Sequence, residues 1–119
     1  MNYNGLCKAA AGLHPNVEVA IVLSSGKLAA SHLKSGGPSP DEQEFSKMIS
    51  QLHSVITTTK ANEDKFGELG HITVHYKHVD GLFFPINDRD TLIIGIMPPY
   101  DHDGFVSKIY SLVASEKMR

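Results

Sequence analysis

The chain has 119 residues, 41% of them apolar and 20% charged, with a net charge of −2 at pH 7. A chain of this length buries about two-thirds of its unfolded surface, so one domain over residues 1–119 is expected, and the acidic balance excludes the electrostatic footprint of a nucleic-acid binder. The single cysteine, Cys7, excludes an intrachain disulfide. No apolar run approaches the roughly 20 residues that span a bilayer, and the N-terminus lacks a signal-peptide pattern, so a cytoplasmic protein is expected.

Residues 2–13 favour a short helix, with Ala9, Ala10 and Ala11 inside it and His14-Pro15-Asn16 breaking it. Val17 to Leu33 reads as a strand hairpin turning at Ser24-Ser25-Gly26-Lys27. After a Ser35 to Pro38 loop, Ser39-Pro40-Asp41-Glu42 forms a capping box, with Ser39 and Glu42 satisfying each other's amides and Pro40 at the first helical position. The helix it opens is expected to run to about Ala61, with Phe45, Met48, Ile49, Leu52, Val55 and Ile56 as its apolar stripe.

Residues 62–70 read as a loop. His71 to Lys77 alternates as a strand, with Ile72, Val74 and Tyr76 on one face and His71, Thr73, His75 and Lys77 on the other. Asp80-Gly81 signals a hairpin turn. Leu82 to Ile86 is the next strand, Asn87 to Asp90 turns again, and Leu92 to Met97 is apolar on both faces, as a strand covered twice requires. Pro98-Pro99 ends it. Asp103 caps a last helix reaching about Lys117, with Phe105, Val106, Ile109, Leu112 and Val113 as its stripe.

Two amphipathic helices need surfaces to cover, and the 92–97 strand offers one on each side. The expected fold is therefore α+β: one five-stranded antiparallel sheet with helices on both faces, in the order α-β-β-α-β-β-β-α.

Several motifs point to chemistry without completing it. Ser25-Gly26-Lys27 lacks the earlier glycine and the following Ser or Thr of a phosphate loop, and a hairpin turn cannot aim several amides at a phosphate. His71 and His75 share a strand face but lie roughly 13 Å apart along it, too far for one ion whose ligands sit about 2 Å away. A polar outer face is the expected role of these histidines. Asp101-His102-Asp103-Gly104 opens like a calcium loop, but the closing glutamate position holds Leu112. Cys7 reads as a small buried thiol. The seven histidines would carry the net charge from −2 to +5 if all were protonated, but their spread names no cluster. No convergent catalytic set appears, so no catalytic, cofactor-binding or metal-ligating residue is assigned and no enzyme activity is expected.

Opposite the apolar stripe of the central helix lie Ser46, Ser50, Ser54 and Thr57. Such a face is either an ordinary solvated one or a contact face, because small side chains let another backbone approach.

The order of elements, together with Val19-Ala20-Ile21-Val22-Leu23-Ser24-Ser25-Gly26, Asp80-Gly81-Leu82-Phe83-Phe84-Pro85-Ile86 and Leu92-Ile93-Ile94-Gly95-Ile96, resembles the roadblock family, named for the dynein light chain roadblock. The resemblance covers nearly the whole chain. It implies a homodimer or heterodimer joined through the strand after the central helix, with the central helices packed together. Mapped here, that interface is Ser46, Ser50, Ser54, Ile72, Val74 and Tyr76. It also implies a non-catalytic regulator or scaffold, with a small GTPase as partner and no cofactor. The alternative is a small-molecule sensor of the related profilin-like type, drawn from Phe83-Phe84, Tyr76 and Tyr100, which requires a cavity of a few hundred Å3.

Overall fold

The computed structural model describes residues 2–34 and 41–118. Its elements are α1 (Tyr3–Ala11), β1 (Val17–Ser24), β2 (Lys27–Leu33), α2 (Glu42–Lys60), α3 (Glu63–Phe66), β3 (Ile72–His75), β4 (Asp80–Pro85), β5 (Asp90–Ile96) and α4 (His102–Lys117). The five strands form one sheet in the order β2-β1-β5-β4-β3, and every neighbouring pair is antiparallel. The expected architecture is the one found, with a one-turn helix, α3, inside the expected 62–70 loop.

β5 lies at the centre. Leu92, Ile94 and Ile96 point to the face roofed by α1 and α4, where they meet Leu6, Cys7, Ala10, Phe105 and Ile109. Ile93 points to the opposite face and packs with Ile21, Leu23 and Phe83 beneath Ile49 and Ile56 of α2. β1 divides the same way, with Ala20 and Val22 on one side and Ile21 and Leu23 on the other. Period-two alternation thus supplies two cores from one run of residues.

Local signals differ from the structure in three places. The N-cap of α2 is Asp41, whose side chain accepts from the Glu44 amide at 2.8 Å; Ser39 and Pro40 of the expected capping box lie outside the described residues. The N-cap of α4 is Asp101, accepting from the Gly104 amide, and not Asp103, whose side chain stands in solvent. Asp80-Gly81 is not a turn but the start of β4, paired with His75 and Val74. The chain reverses just before it, where the Tyr76 amide donates to the Val79 carbonyl.

Ile94 is completely buried between the α1–α4 layer and the sheet. Ile94→Ala should cost about 2–5 kcal/mol through lost burial plus a residual cavity, read as a lower urea midpoint at unchanged slope. Cys7 is also fully buried, and desolvation pushes its thiol up to about 11. It should resist thiol reagents at pH 7 in the folded protein and react fully once urea unfolds it.

Candidate functional site

β3 is the last strand of the sheet. One side pairs with β4, so among the described residues its other side offers unpaired amides and carbonyls. Ile72 and Val74 point under the sheet and pack against the α2-side core, each partly buried. Tyr76 was expected on the same face. It lies past the end of β3 and is 63% exposed, because the chain has already entered its reversal.

The opposite face of β3 is not simply an outer face, because it meets the start of α4. The His71 ring stacks on Phe84, and its Nδ1 is hydrogen-bonded to the Tyr110 hydroxyl at 2.7 Å. Thr73 Oγ1 is hydrogen-bonded to His102 Nε2 at 3.0 Å, and His102 Nδ1 lies 3.0 Å from Asp103 Oδ1. His75 donates from Nδ1 to Asp80 Oδ1 at 2.5 Å, while the Tyr100 hydroxyl donates to Asp80 Oδ2 at 2.5 Å. Aromatic contacts from Tyr100 to His14 and His102 extend the cluster.

Asp80 anchors this cluster. Burial alone would push its carboxyl up. The hydrogen bonds from Tyr100 and His75, with the charges of His75 and His102, outweigh burial and hold it below its usual range. Tyr100, half-buried against that carboxylate, is pushed well above its usual value by desolvation and by Asp80.

The row Thr73, His102, Asp103 has the order of a nucleophile, a base and an orienting acid. It lacks their setting: Asp103 stands fully in solvent and Thr73 is on an exposed edge strand, whereas a working triad needs a sheltered, oriented acid. Nor do the histidines converge on an ion. Among the described residues no group of His, Cys, Asp and Glu is disposed to hold a metal.

The central helix splits the remaining expected interface residues. At about 3.6 residues per turn, His53 and Thr57 share a flank of α2, and the His53 ring lies against Gly26 in the β1–β2 turn. Ser46 and Ser50 lean to that side and Ser54 faces outward; all three are exposed. The opposite flank carries Met48 and Val55, 38% and 36% exposed, and Thr59, which lines a depression with Phe66, Leu69 and Gly70 on the way to β3. The serines are therefore not brought together with Ile72 and Val74. Met48 and Val55, which the sequence marked only as core, are the apolar side chains exposed on the flank away from His53.

No known protein-family profile matches the chain, and no curated protein does. Solved structures do. A roadblock/LC7 domain from Streptomyces avermitilis superposes with a TM-score of 0.78 at 14% identity, over 98% of this chain and 96% of that one. Myxococcus xanthus MglB gives 0.76 at 13% identity, over 96% and 89%. A structure described as MglB with tetrameric arrangement gives 0.72 at 12% identity, over 92% and 80%.

The fold is roadblock-like. At such low identity the likeness carries the arrangement of elements and no activity. In this roadblock-like chain no helix among the described residues is long and apolar enough to cross a membrane.

The Asp80 cluster makes a pH prediction. A carboxyl held below its unfolded value stabilises the fold above that value and loses the contribution as pH falls through its folded pKa. Melting temperature should therefore drop as pH goes from about 5 to about 2. Asp80→Asn should lower it at neutral pH and flatten part of the acid drop, since two hydrogen-bond donors lose a charged acceptor. A variant with the wild-type acid profile would show that Asp80 contributes nothing to it.

Proposed function

We propose that this chain is a non-catalytic, dimeric regulatory or scaffold module that engages a protein partner, with a small GTPase as the partner class implied by the roadblock-like fold. The observation that carries the reading is the place of β3 at the end of the sheet, together with the half-exposed apolar side chains Met48 and Val55 on the flank of α2 away from His53. An unpaired strand edge with an apolar flank next to it is a template for strand pairing. Pairing β3 with its counterpart in a second protomer would satisfy the edge and bring the Met48–Val55 flanks of the two helices together. Ile72 and Val74 would lie under the seam and Tyr76 at its end. Ser46, Ser50 and Ser54 would sit at the back of the same helix, available to a further partner. The tetrameric arrangement described for MglB is consistent with self-association in this fold.

The reading as an enzyme has little support, because the one hydroxyl–imidazole–carboxylate row is open to solvent. The sensor reading loses its motivating residues: Phe83 and Phe84 are packed in opposite cores, Tyr76 is on the surface, and Tyr100 is tied to Asp80.

Sedimentation at micromolar concentration should give a dimer. Val55→Glu and Met48→Glu should each weaken it roughly tenfold or more, since each places a charge in an apolar contact. Ser50→Glu should weaken it much less. A monomer in the wild-type protein would overturn the dimer, and a larger effect from Ser50→Glu would move the interface to the serine face. Capture from native lysate, read for small GTPases loaded with GDP or GTP, tests the partner class.

A further inference from the structure

A second, separate feature lies at the end of the sheet away from Asp80. Between α2, the β1–β2 turn and the β4–β5 turn is a cavity of about 110 Å3. Leu23 and Ile56 give it an apolar floor, and Lys60, Arg89, His53 and Ser25 stand around it. Asp88 is the one acid in its lining. We propose that this cavity is a binding site for a phosphate-class oxyanion, free or esterified to a small molecule.

Charge is the first support. Among the described residues the ion pairs are Lys34–Glu18, His75–Asp80 and His102–Asp103, so neither Lys60 nor Arg89 is in direct contact with a carboxylate, although the Arg89 charge contributes to holding the Asp90 carboxyl below its usual range. The Lys60 ammonium is instead held over the β4–β5 turn by long contacts to the carbonyls of Asn87 and Asp88, at 3.4 and 3.5 Å. Two cations and one acid, Asp88, on one small concavity, with an imidazole between turn and helix, leave an excess of positive charge in the lining. Ammonium and guanidinium groups make their strongest hydrogen bonds to phosphate and carboxylate oxygens.

Shape is the second. Gly26 has φ of +81°, so the turn already requires glycine, and a Cβ there would stand 3.0 Å from the His53 ring. The imidazole seats in the space the missing side chain leaves and forms one wall. Side chains do the work here that backbone amides do in a phosphate loop. The Ser25 amide is not available to a ligand, since it donates to the Arg89 carbonyl, and that bond joins the two turns and fixes the walls relative to each other. The cavity admits a group with a few oxygens around one centre, while its charge disfavours cations and neutral apolar molecules.

The test is a titration of the full chain with inorganic phosphate at constant ionic strength, followed by amide chemical shifts, with chloride as the matched control. Saturable shifts should appear at Ser25, Gly26 and Arg89 and not at Asp80. Lys60→Ala and Arg89→Ala should each weaken binding roughly tenfold or more, while Asp88→Asn, which removes the opposing charge, should tighten it. These variants lie outside the core, and an unchanged spectrum at Asp80 verifies that it is intact. Equal shifts with chloride, no saturation, or binding unaltered in the Lys60→Ala/Arg89→Ala double variant would overturn the proposal. A parallel titration with glycerol 3-phosphate separates the sources. Shifts at the same amides extend the site to phosphate esters, binding of phosphate alone restricts it to the free ion, and ester binding elsewhere with the cavity silent overturns it.

Discussion

A strand with apolar side chains on both faces has to be covered twice. β5 is that strand here, and the rest of the architecture answers to it. The helical layer of α1 and α4 takes the Leu92, Ile94, Ile96 side, and α2 takes the Ile93 side. With the layers so committed, β1 and β4 flank β5, and β2 and β3 become the edges. Free surface is confined to those edges and to the ends of the sheet, because the middle is covered on both faces.

The helical layer is fastened to the sheet by polar contacts as well as by packing. Asp80 and Asp90 begin β4 and β5, and both are buried. Each accepts from a tyrosine hydroxyl of the α1–α4 side: Tyr100, just before α4, reaches Asp80, and Tyr3, in the first turn of α1, reaches Asp90. Burial opposes ionisation at both aspartates, and at both the hydrogen bonds outweigh it. A carboxylate with good donors can remain ionised where an unpaired one could not. These contacts add a polar tie between each helical segment and the sheet beside the apolar packing.

Much of this architecture can be read from the chain. The double-faced run at 92–97, the alternation at 71–75 and the stripes of α2 and α4 are period signals, and the sheet and its layers follow from them. What fails to read is whatever depends on elements far apart in sequence. Asp80-Gly81 looks like a turn because nothing local says that His75 and Tyr100 will claim the aspartate. The polar face of β3 looks solvated because its partners, His102 and Tyr110, lie about thirty to forty residues away. The serine face of α2 is a correct helical face, and its three serines are exposed. Helical period determines which residues share a flank, but only the docking of His53 on Gly26 determines which flank turns towards β3. The cations of the small cavity escape for the same reason, since Lys60 and Arg89 meet only across two turns.

The two open edges of the sheet differ in what symmetry allows. β3 is short, four residues, while β2 has seven and shows Leu28 and Leu33 half-exposed on the α2 side. An antiparallel contact of β3 with β3 is related by a twofold axis and is complete after one addition. A contact of β2 with β3 has no such axis, and each addition would present a new β2, so it would grow as a fibre. β2 carries Lys27 at its start and Lys34 just beyond its end, with Lys34 held near Glu18. Charge at both ends of the longer edge opposes open-ended growth.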